Sequence, residues 1–490
     1  MTFVSGEQEC TVTVAEVHQR ALALAAALQD RGVGPGDAVA VQLTNRVECA
    51  VAYQAALLCG AVLVPIVHIY GVAEVSFILA QSRAKVLIMP EQVGSTRYVE
   101  RIPALSGIGT LAHIIVLDAQ RDSSYLAWSS LSATGTGYRR PVVASDDVCL
   151  LLYTSGTTSA PKGVQHTHNT VLAEQRSLPA LLASAPDDVS LVSFPPGHIA
   201  GVGCLLRPLV TGARTVFMDS WNPAQAVVLI DKFGITSTAG APVHLQGLLD
   251  HAGPGTLTTL REFLVGAAPV SAELGERAFA AGISTFRSYG STEHPTVTGE
   301  HDGEPQWARL GTDAKALPGS SVRIVGPAGE DLPTGADGEV VTQGPEQFVG
   351  YQDPELDADA FTADGWLRTG DLGHVDAAGR LTITDRIKDV IIRGGETISS
   401  NQVEDVLHRH PAVAEAAAVA APDSRYGDVV GAVVVLRPDA AIDLESIRAH
   451  FAASGLARQK TPERLAIVDA LPRTALGKVR KADLRTELFG

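Results

Sequence analysis

Apolar side chains at Val14, Val17, Ala21, Leu24 and Leu28 recur at helical spacing, and Arg31-Gly32 closes that helix. After the turn Gly34-Pro35-Gly36-Asp37, Ala38 to Leu43 is strand-like and Glu48 to Leu58 is a helix apolar on several faces. Gly60 then leads into a strand over Ala61 to Ile66. A helix around Glu74 to Gln81 precedes strands over Val86 to Met89 and Ile114 to Leu117. Such alternation predicts sheets covered by helices. Asp122 to Tyr138 lacks a period and reads as a surface connection to the apolar run Val148 to Tyr153. Alternation resumes with strands over Val189 to Phe194, Thr215 to Met218, Ile235 to Thr238, Phe263 to Val265 and Ile283 to Phe286. Helices fall near Ala224 to Phe233 and Ser271 to Ala281. Turn residues Pro327, Gly329, Pro333, Gly335 and Asp337 separate the strands Val322 to Val325 and Gly338 to Gln343, which predicts a β-rich subdomain. Beyond Gly395, helices over Val403 to Leu407 and Leu444 to Phe451 mix with strands over Ala414 to Val419, Val429 to Leu436 and Leu465 to Val468. That is a small α+β domain able to fold alone. The expected class is α/β with a β-rich subdomain: a large N-terminal domain of layered helices and sheets over 1–385, and a small α+β domain over 386–490.

Bulk properties narrow the partners. A chain of 490 residues exceeds one ordinary domain, and 46% hydrophobic with 19% charged residues is soluble globular material with ample core. With 38 Lys plus Arg against 54 Asp plus Glu the formal charge is -16, which argues against nucleic acid as the main partner. A nucleotide in a small pocket stays compatible, because local charge rules there. Cys10, Cys49, Cys59, Cys149 and Cys204 are scattered, without disulfide or zinc spacing, and read as thiols in a reducing compartment. The first ten residues lack the basic and apolar regions of a signal peptide, and no apolar stretch reaches a membrane-spanning length. A cytoplasmic location with no membrane span is expected, and a homodimer stays open.

Chemistry concentrates at strand ends. The run Leu150 to Val164 (LLLYTSGTTSAPKGV) places Thr154, Ser155, Gly156, Thr157, Thr158 and Ser159 after a strand, with Lys162-Gly163 close behind. Backbone N–H groups, hydroxyls and one mobile ammonium suit a polyanion. The loop lacks G-x-x-x-x-G-K-[ST], so it is no standard P-loop, and by composition it is equally a hydroxyl-rich surface turn. Ser288 to Glu293 (SYGSTE) puts two hydroxyls and a carboxylate after a strand, an oxygen-rich locus for Mg2+ and phosphate. Gly266-Ala267-Ala268-Pro269 is small enough for a flat ring to lie against its backbone. Either stretch alone is more often a plain strand-to-helix turn. Asp371, in DGWLRTGD, is placed to accept ribose hydroxyl protons, and Arg386 to add a sugar or phosphate contact. The competing reading pairs Arg386 with Asp389 at the surface. Lys478 by itself is a surface lysine.

Together these pieces resemble the adenylate-forming superfamily of acyl-CoA synthetases, nonribosomal peptide adenylation domains and beetle luciferases, over about Val12 to Arg485. The matches are YTSGTTSAPKG (153–163), YGSTE (289–293), GEVVTQGPEQFVGY (338–351), DGWLRTGDLG (364–373), DRIKDVIIRGGETIS (385–399) and PRTALGKVRK (472–481). The resemblance implies a mobile C-terminal domain that rotates between two half-reactions, with Lys388 at the hinge. It implies that the loop 154–163 wraps the β- and γ-phosphates of ATP, with Lys162 on the leaving pyrophosphate. Thr292 would contact the α-phosphate, Glu293 would hold Mg2+, and Gly266, Ala267, Ala268, Tyr289 and Gly290 would form the adenine site. Asp371 and Arg386 would bind ribose, Lys478 would bridge the carboxylate and α-phosphate, and Gly394-Gly395 would meet the thiol of coenzyme A. His198 would lie beside the substrate carboxylate. Two positions depart from the pattern: Ser159 stands where glycine is usual, and Gly197 where an aromatic precedes the histidine.

The expected activity is an AMP-forming acid:CoA ligase: a carboxylic acid and ATP give acyl-adenylate and diphosphate, then CoA gives acyl-CoA and AMP. The alternative is a stand-alone adenylation enzyme loading an aryl or amino acid onto a carrier protein. Ile235 to Val243 (ITSTAGAPV) holds no Asp or Glu to anchor an ammonium, which weakens the amino-acid version. Gly201, Gly203, Gly240, Ala241, Gly266 and Ala267 are small and predict a roomy apolar tunnel. That suits a medium- to long-chain fatty, branched or ring-bearing acid better than acetate, and places the enzyme in fatty acid and lipid metabolism.

Overall fold

The computed structural model describes every residue except 121, 132–136, 155–160, 183–184, 267–269, 271, 301–302 and 474–477. Its contacts group Met1–Thr154, Pro161–Ser321 and Gln343–Phe361 into one unit, and Val322–Thr342 with Thr362–Gly490 into another.

The first unit holds two large sheets. One runs Gly350–Tyr351, Lys162–Thr167, Val148–Thr154, Val62–Pro65, Ala38–Val41, Ala84–Pro90, His113–Leu117 and Leu126–Ala127 in spatial order. The other runs Ser284–Arg287, Glu262–Val265, Ser237–Gly240, Val189–Val192, Arg214–Met218, Thr2–Ser5 and Gln8–Thr11. Parallel pairings dominate both, the pattern that the strand–helix alternation predicts. Helices Val14–Gln29 and Val47–Leu58 share one core with residues of both sheets: Val39, Val41 and Leu63 from one, Phe3, Val192 and Phe217 from the other. This is why Val47–Leu58 is apolar on several faces. Thr13 and Glu16 close a capping box at the start of Val14–Gln29.

Several elements escape the apolar pattern. The opening residues form a hairpin, Thr2–Ser5 with Gln8–Thr11, whose first strand joins Arg214–Met218 in parallel. Helices His168–Leu181, Ile199–Thr211 and Pro242–His251 also appear. The first two carry an internal proline, Pro179 and Pro208, which blurs a helical reading of the sequence.

In the second unit, Ser321–Val325, Gly338–Gln343, Leu367–Val375 and Leu381–Arg386 make the β-rich subdomain. The terminal sheet orders Glu396–Ile398, Ile391–Arg393, Gly427–Leu436 and Val413–Asp423, and Arg464–Ile467 joins Gly427–Leu436 in parallel. Alternate residues of the alanine-rich strand face opposite sides. Ala416, Ala418 and Ala420 pack with Val403, Leu407, Ile447 and Phe451; Ala417 and Val419 pack with Leu471 and Leu484. Helices on both faces explain a strand with almost no polar alternation. Among the described residues no helix is long and apolar enough to cross a membrane.

Candidate functional site

Thr154 and Lys162 are register partners at the end of an antiparallel pair, so Lys162 stands at the mouth of the loop. Ser155, Gly156, Thr157 and Thr158 lie outside the described residues, as do Ala267 and Ala268. On the far side of the Lys162 strand runs the short strand Gly350–Tyr351, with Val164 opposite Tyr351. Gly163 lets it approach: a Cβ there would lie 2.8 Å from Cβ of Gln352. Lys162 Nζ sits 5.0 Å from the centroid of the Tyr351 ring. The Tyr351 hydroxyl donates to Glu293 Oε1 at 2.9 Å.

Glu293 lies in a turn that folds back on itself after the strand Ser284–Arg287. Tyr289 N donates to Thr298 Oγ1 (3.0 Å), Val297 N to Tyr289 O (3.0 Å), and Ser291 N to His294 O (2.8 Å). Gly290 is dictated by this fold, since a Cβ would collide with the carbonyl oxygen of Pro295. Phe348 N donates to Glu293 O (2.7 Å), and His166 Nε2 donates to Thr292 O (2.8 Å). A carbonyl can only accept, so the His166 proton sits on Nε2, and Nδ1 accepts from Thr170 Oγ1 at 3.2 Å. Burial pushes His166 down to about 4 against the Thr292 bond, so the ring is neutral at physiological pH. Lys162, Thr292 and Glu293 are therefore brought together. The two side chains that do this, Tyr351 and His166, are ones the sequence reading gave no role. Tyr351 closes the GEVVTQGPEQFVGY match, but only the strand pairing reveals where its hydroxyl goes.

The donor set fits Mg2+. Glu293 is a half-buried oxygen donor bonded to Tyr351, over whose ring Lys162 lies, and no cluster of three His, Cys, Asp or Glu occurs among the described residues. Mg2+ typically takes one or two carboxylates and completes its shell with substrate phosphates and water.

His198 caps the helix Ile199–Thr211, its Nδ1 accepting from Ala200 N at 3.3 Å. In the neutral ring this leaves the proton on Nε2. At several of the glycines expected to leave room, other atoms already stand at the Cβ position. At Gly197 a Cβ would lie 2.5 Å from Ile66 C and 2.6 Å from Val67 Cα. Backbone thus occupies the place of a side chain at the position where the family has an aromatic. A Cβ on Gly201 would strike Pro195 O, one on Gly203 would lie 2.6 Å from Glu174 Oε1, and one on Gly240 2.8 Å from His244 Cβ. Gly266 differs: nothing stands within 4 Å of its Cβ position, which keeps a flat-ring surface there.

The carboxylate against Gly203 belongs to a buried acidic pair. Glu346 accepts from Thr296 N (3.0 Å) and from Ser177 Oγ. Desolvation, then the charge of Glu346, pushes Glu174 up to about 8; desolvation pushes Glu346 up to about 7.

In the second unit Asp371 and Arg386 are register partners on adjacent strands, and Arg386 Nε donates to Asp371 Oδ1 at 2.7 Å. Arg386 thus pairs with Asp371, which is buried. Gly394 and Gly395 both have positive φ, 58° and 90°, as a tight turn between Ile391–Arg393 and Glu396–Ile398 requires. Lys478 is exposed at the end of the stretch 474–477, beside an Arg473–Val479 bridge, and Arg480 N donates to Pro472 O (2.8 Å). Lys481 donates to Ser400 Oγ (2.8 Å) and pairs with Glu404 (2.7 Å); buried Asp385 accepts from Ser400 Oγ (2.9 Å).

The model described as AMP-binding enzyme matches residues 1–352, and that of the AMP-binding enzyme C-terminal domain matches residues 402–478. A medium-chain fatty-acid–CoA ligase of Escherichia coli (strain K12) is 35% identical over 467 residues, 94% of this chain and 82% of the relative. A feruloyl-CoA synthase of an Amycolatopsis species is 33% identical over 480 residues, 97% and 93% of the two chains. ATP-bound MatB from Rhodopseudomonas palustris superimposes with a TM-score of 0.88 at 28% identity, covering 100% of this chain and 96% of that one. The chain belongs to the AMP-binding enzyme family.

Proposed function

We propose that this chain is an AMP-forming acid:CoA ligase acting on a medium- to long-chain fatty or ring-bearing carboxylic acid, with ATP, Mg2+ and coenzyme A. The observation that carries the reading is the joining of the Lys162 ammonium and the Glu293 carboxylate through Tyr351. The substrate carboxylate is already ionised, so the first half-reaction needs no general base. It needs cationic charge on the phosphoryl oxygens that gain charge and on the leaving pyrophosphate. Lys162 and the hydroxyls of the 154–158 loop serve the β- and γ-phosphates, Thr292 the α-phosphate, and Glu293 holds Mg2+, which neutralises phosphate charge when bound. Gly266, Ala267, Ala268, Tyr289 and Gly290 hold adenine. His198, with its proton on Nε2, donates to the substrate carboxylate. Asp371 and Arg386 hold ribose; Lys478 serves adenylation and the Gly394-Gly395 turn serves thiol attack.

Residues 386–490 are the moving body in this reading, turning about Lys388. The named activities of the relatives support a fatty or ring-bearing acid, and the absence of Asp or Glu from 235–243 speaks against an ammonium-bearing one. Each methylene buried contributes about 0.8 kcal/mol, so a few of them suffice to discriminate against acetate. A cytoplasmic place in lipid metabolism follows. Pyrophosphate release measured over acids of two to eighteen carbons, ring-bearing acids and common amino acids tests the proposal. Preference for an amino acid, or product forming on a carrier protein and never on CoA, would overturn it.

A further inference from the structure

We infer that Tyr351 is a positioning residue that sets both charged partners of the phosphate site at once: its hydroxyl orients the Glu293 carboxylate and its ring seats Lys162. The inference rests on the reading in which Glu293 holds Mg2+ and Lys162 meets the pyrophosphate.

Three observations support it. First, Tyr351 is fixed through its main chain and by an aromatic neighbour. Tyr351 N donates to Asp357 Oδ1 at 2.8 Å, and its strand pairs with Lys162–Thr167. Phe348 meets the ring edge-on at 4.9 Å between centroids and is itself stacked on Phe361 at 5.1 Å. The preceding Gly350 has φ +145°, and a Cβ there would lie 2.8 Å from Asp357 Oδ2. A side chain so fixed can transmit position. Second, a phenol has one proton to give, and here it goes to Glu293 Oε1. That bond chooses the carboxylate rotamer and leaves the lone pairs of Oε2 for a cation. Carboxylates that bind metals are commonly held by such a neighbour, whose loss typically costs about 10–100-fold in metal affinity. Third, the same ring lies under the Lys162 ammonium, the geometry of a cation–π contact. The neighbouring main chain contributes too: Phe348 N binds Glu293 O, so the 344–351 segment grips both ends of the metal-binding residue. One segment thus fixes the spacing between the ammonium and the metal ligand, which must match the spacing of pyrophosphate oxygens.

The test separates the hydroxyl from the ring. Tyr351→Phe keeps the ring and loses the donor; Tyr351→Leu loses both; Glu293→Gln removes the proposed ligand. Mn2+ binding in the presence of ATP, with acid omitted so that nothing turns over, is read by electron paramagnetic resonance. The KM for ATP in pyrophosphate exchange and the melting temperature are read alongside. Tyr351→Phe should weaken Mn2+ about ten-fold with little change in melting temperature or in KM for ATP. Tyr351→Leu should weaken Mn2+ equally and raise the KM for ATP as well. The Glu293→Gln/Tyr351→Phe double variant should bind Mn2+ no worse than Glu293→Gln alone. Wild-type Mn2+ affinity in Tyr351→Phe, with Glu293→Gln impaired, overturns the role of Tyr351 and leaves the ligase reading standing. Unchanged Mn2+ affinity in Glu293→Gln overturns the metal assignment itself. A fall in melting temperature without any Mn2+ or KM effect would make Tyr351 a packing residue only.

Discussion

Four buried ionisable side chains surround the active-site turn, and they pull the stability of the protein in opposite directions with pH. Glu174 and Glu346, ordinarily near 4.5, are pushed up to about 8 and about 7, so the folded chain keeps protons that the unfolded chain has released. Their stability contribution is complete below 4.5 and is lost as pH rises through 7 and 8. His166 and His294, ordinarily near 6.5, are both held at about 4 by burial, so the unfolded chain takes protons that the folded chain refuses. Their contribution is complete above 6.5 and is lost as pH falls toward 4. The two effects oppose between 4.5 and 6.5; above 6.5 only the carboxyls act. We predict that Glu174→Gln, which keeps the shape without the titration, gains about 2 kcal/mol relative to wild type between pH 6.5 and 8.5. Thermal melts of both proteins at the two pH values check it, and parallel pH slopes would refute it. At this scale the sequence singles out residues that carry their own charge, such as Lys162, Glu293 and Asp371. It was not legible for Tyr351, His166 or the acidic pair, whose chemistry arises from neighbours 58, 126 and 169 or more residues away.

Glycines show the same division among elements. Read along the chain, Gly201, Gly203 and Gly240 looked like room for a substrate, and Gly197 stood where an aromatic is usual. In the fold, the strand Val62–Pro65 runs on into Ile66 and Val67, whose backbone occupies the Cβ position of Gly197. The helix Ile199–Thr211 folds back over Pro195 at Gly201 and meets the Glu174 carboxylate at Gly203. A missing side chain says only that something else is close, and sequence cannot tell ligand from backbone. We predict that Gly197→Ala, the smallest step toward the family's aromatic, destabilises by about 3 kcal/mol, because backbone cannot yield as a side-chain tip can. A melting temperature within two degrees of wild type would show that Ile66–Val67 moves aside. Strands and amphipathic helices were readable to within a few residues, since period and turn residues coincide there. The helix Ile199–Thr211 was not, with two glycines and Pro208 inside a run that has little polar punctuation. The opening hairpin was missed for another reason: Thr2–Ser5 becomes a strand by pairing with Arg214–Met218, some two hundred residues on.

For the whole molecule, the arrangement of the second unit bears on how one chain can run two reactions. Lys478 extends from a stem that holds the Arg473–Val479 bridge, a bond from Arg480 N to Pro472 O, and bonds from Lys481 to Ser400 and Glu404. Through Ser400 that stem is tied to Asp385, at the end of the strand that also carries Arg386. Lys478→Ala removes one ammonium from the end of that stem. The Gly394-Gly395 turn is a separate feature of the same unit, held by Gly394 N donating to Tyr426 O at 2.8 Å. If the Lys478 ammonium is needed only while the carboxylate attacks the α-phosphate, its loss should fall on one half-reaction. We predict that Lys478→Ala slows acyl-adenylate formation by about two to three decades, the effect of one missing transition-state contact of roughly 3–4 kcal/mol. CoA capture of a supplied acyl-adenylate should stay within a few-fold of wild type. Each half-reaction is followed in a single turnover, the first by pyrophosphate release and the second by loss of acyl-adenylate on adding CoA. Equal losses in both would mean that Lys478 serves a single closed state, and the proposal of a C-terminal body with two working faces would have to be abandoned.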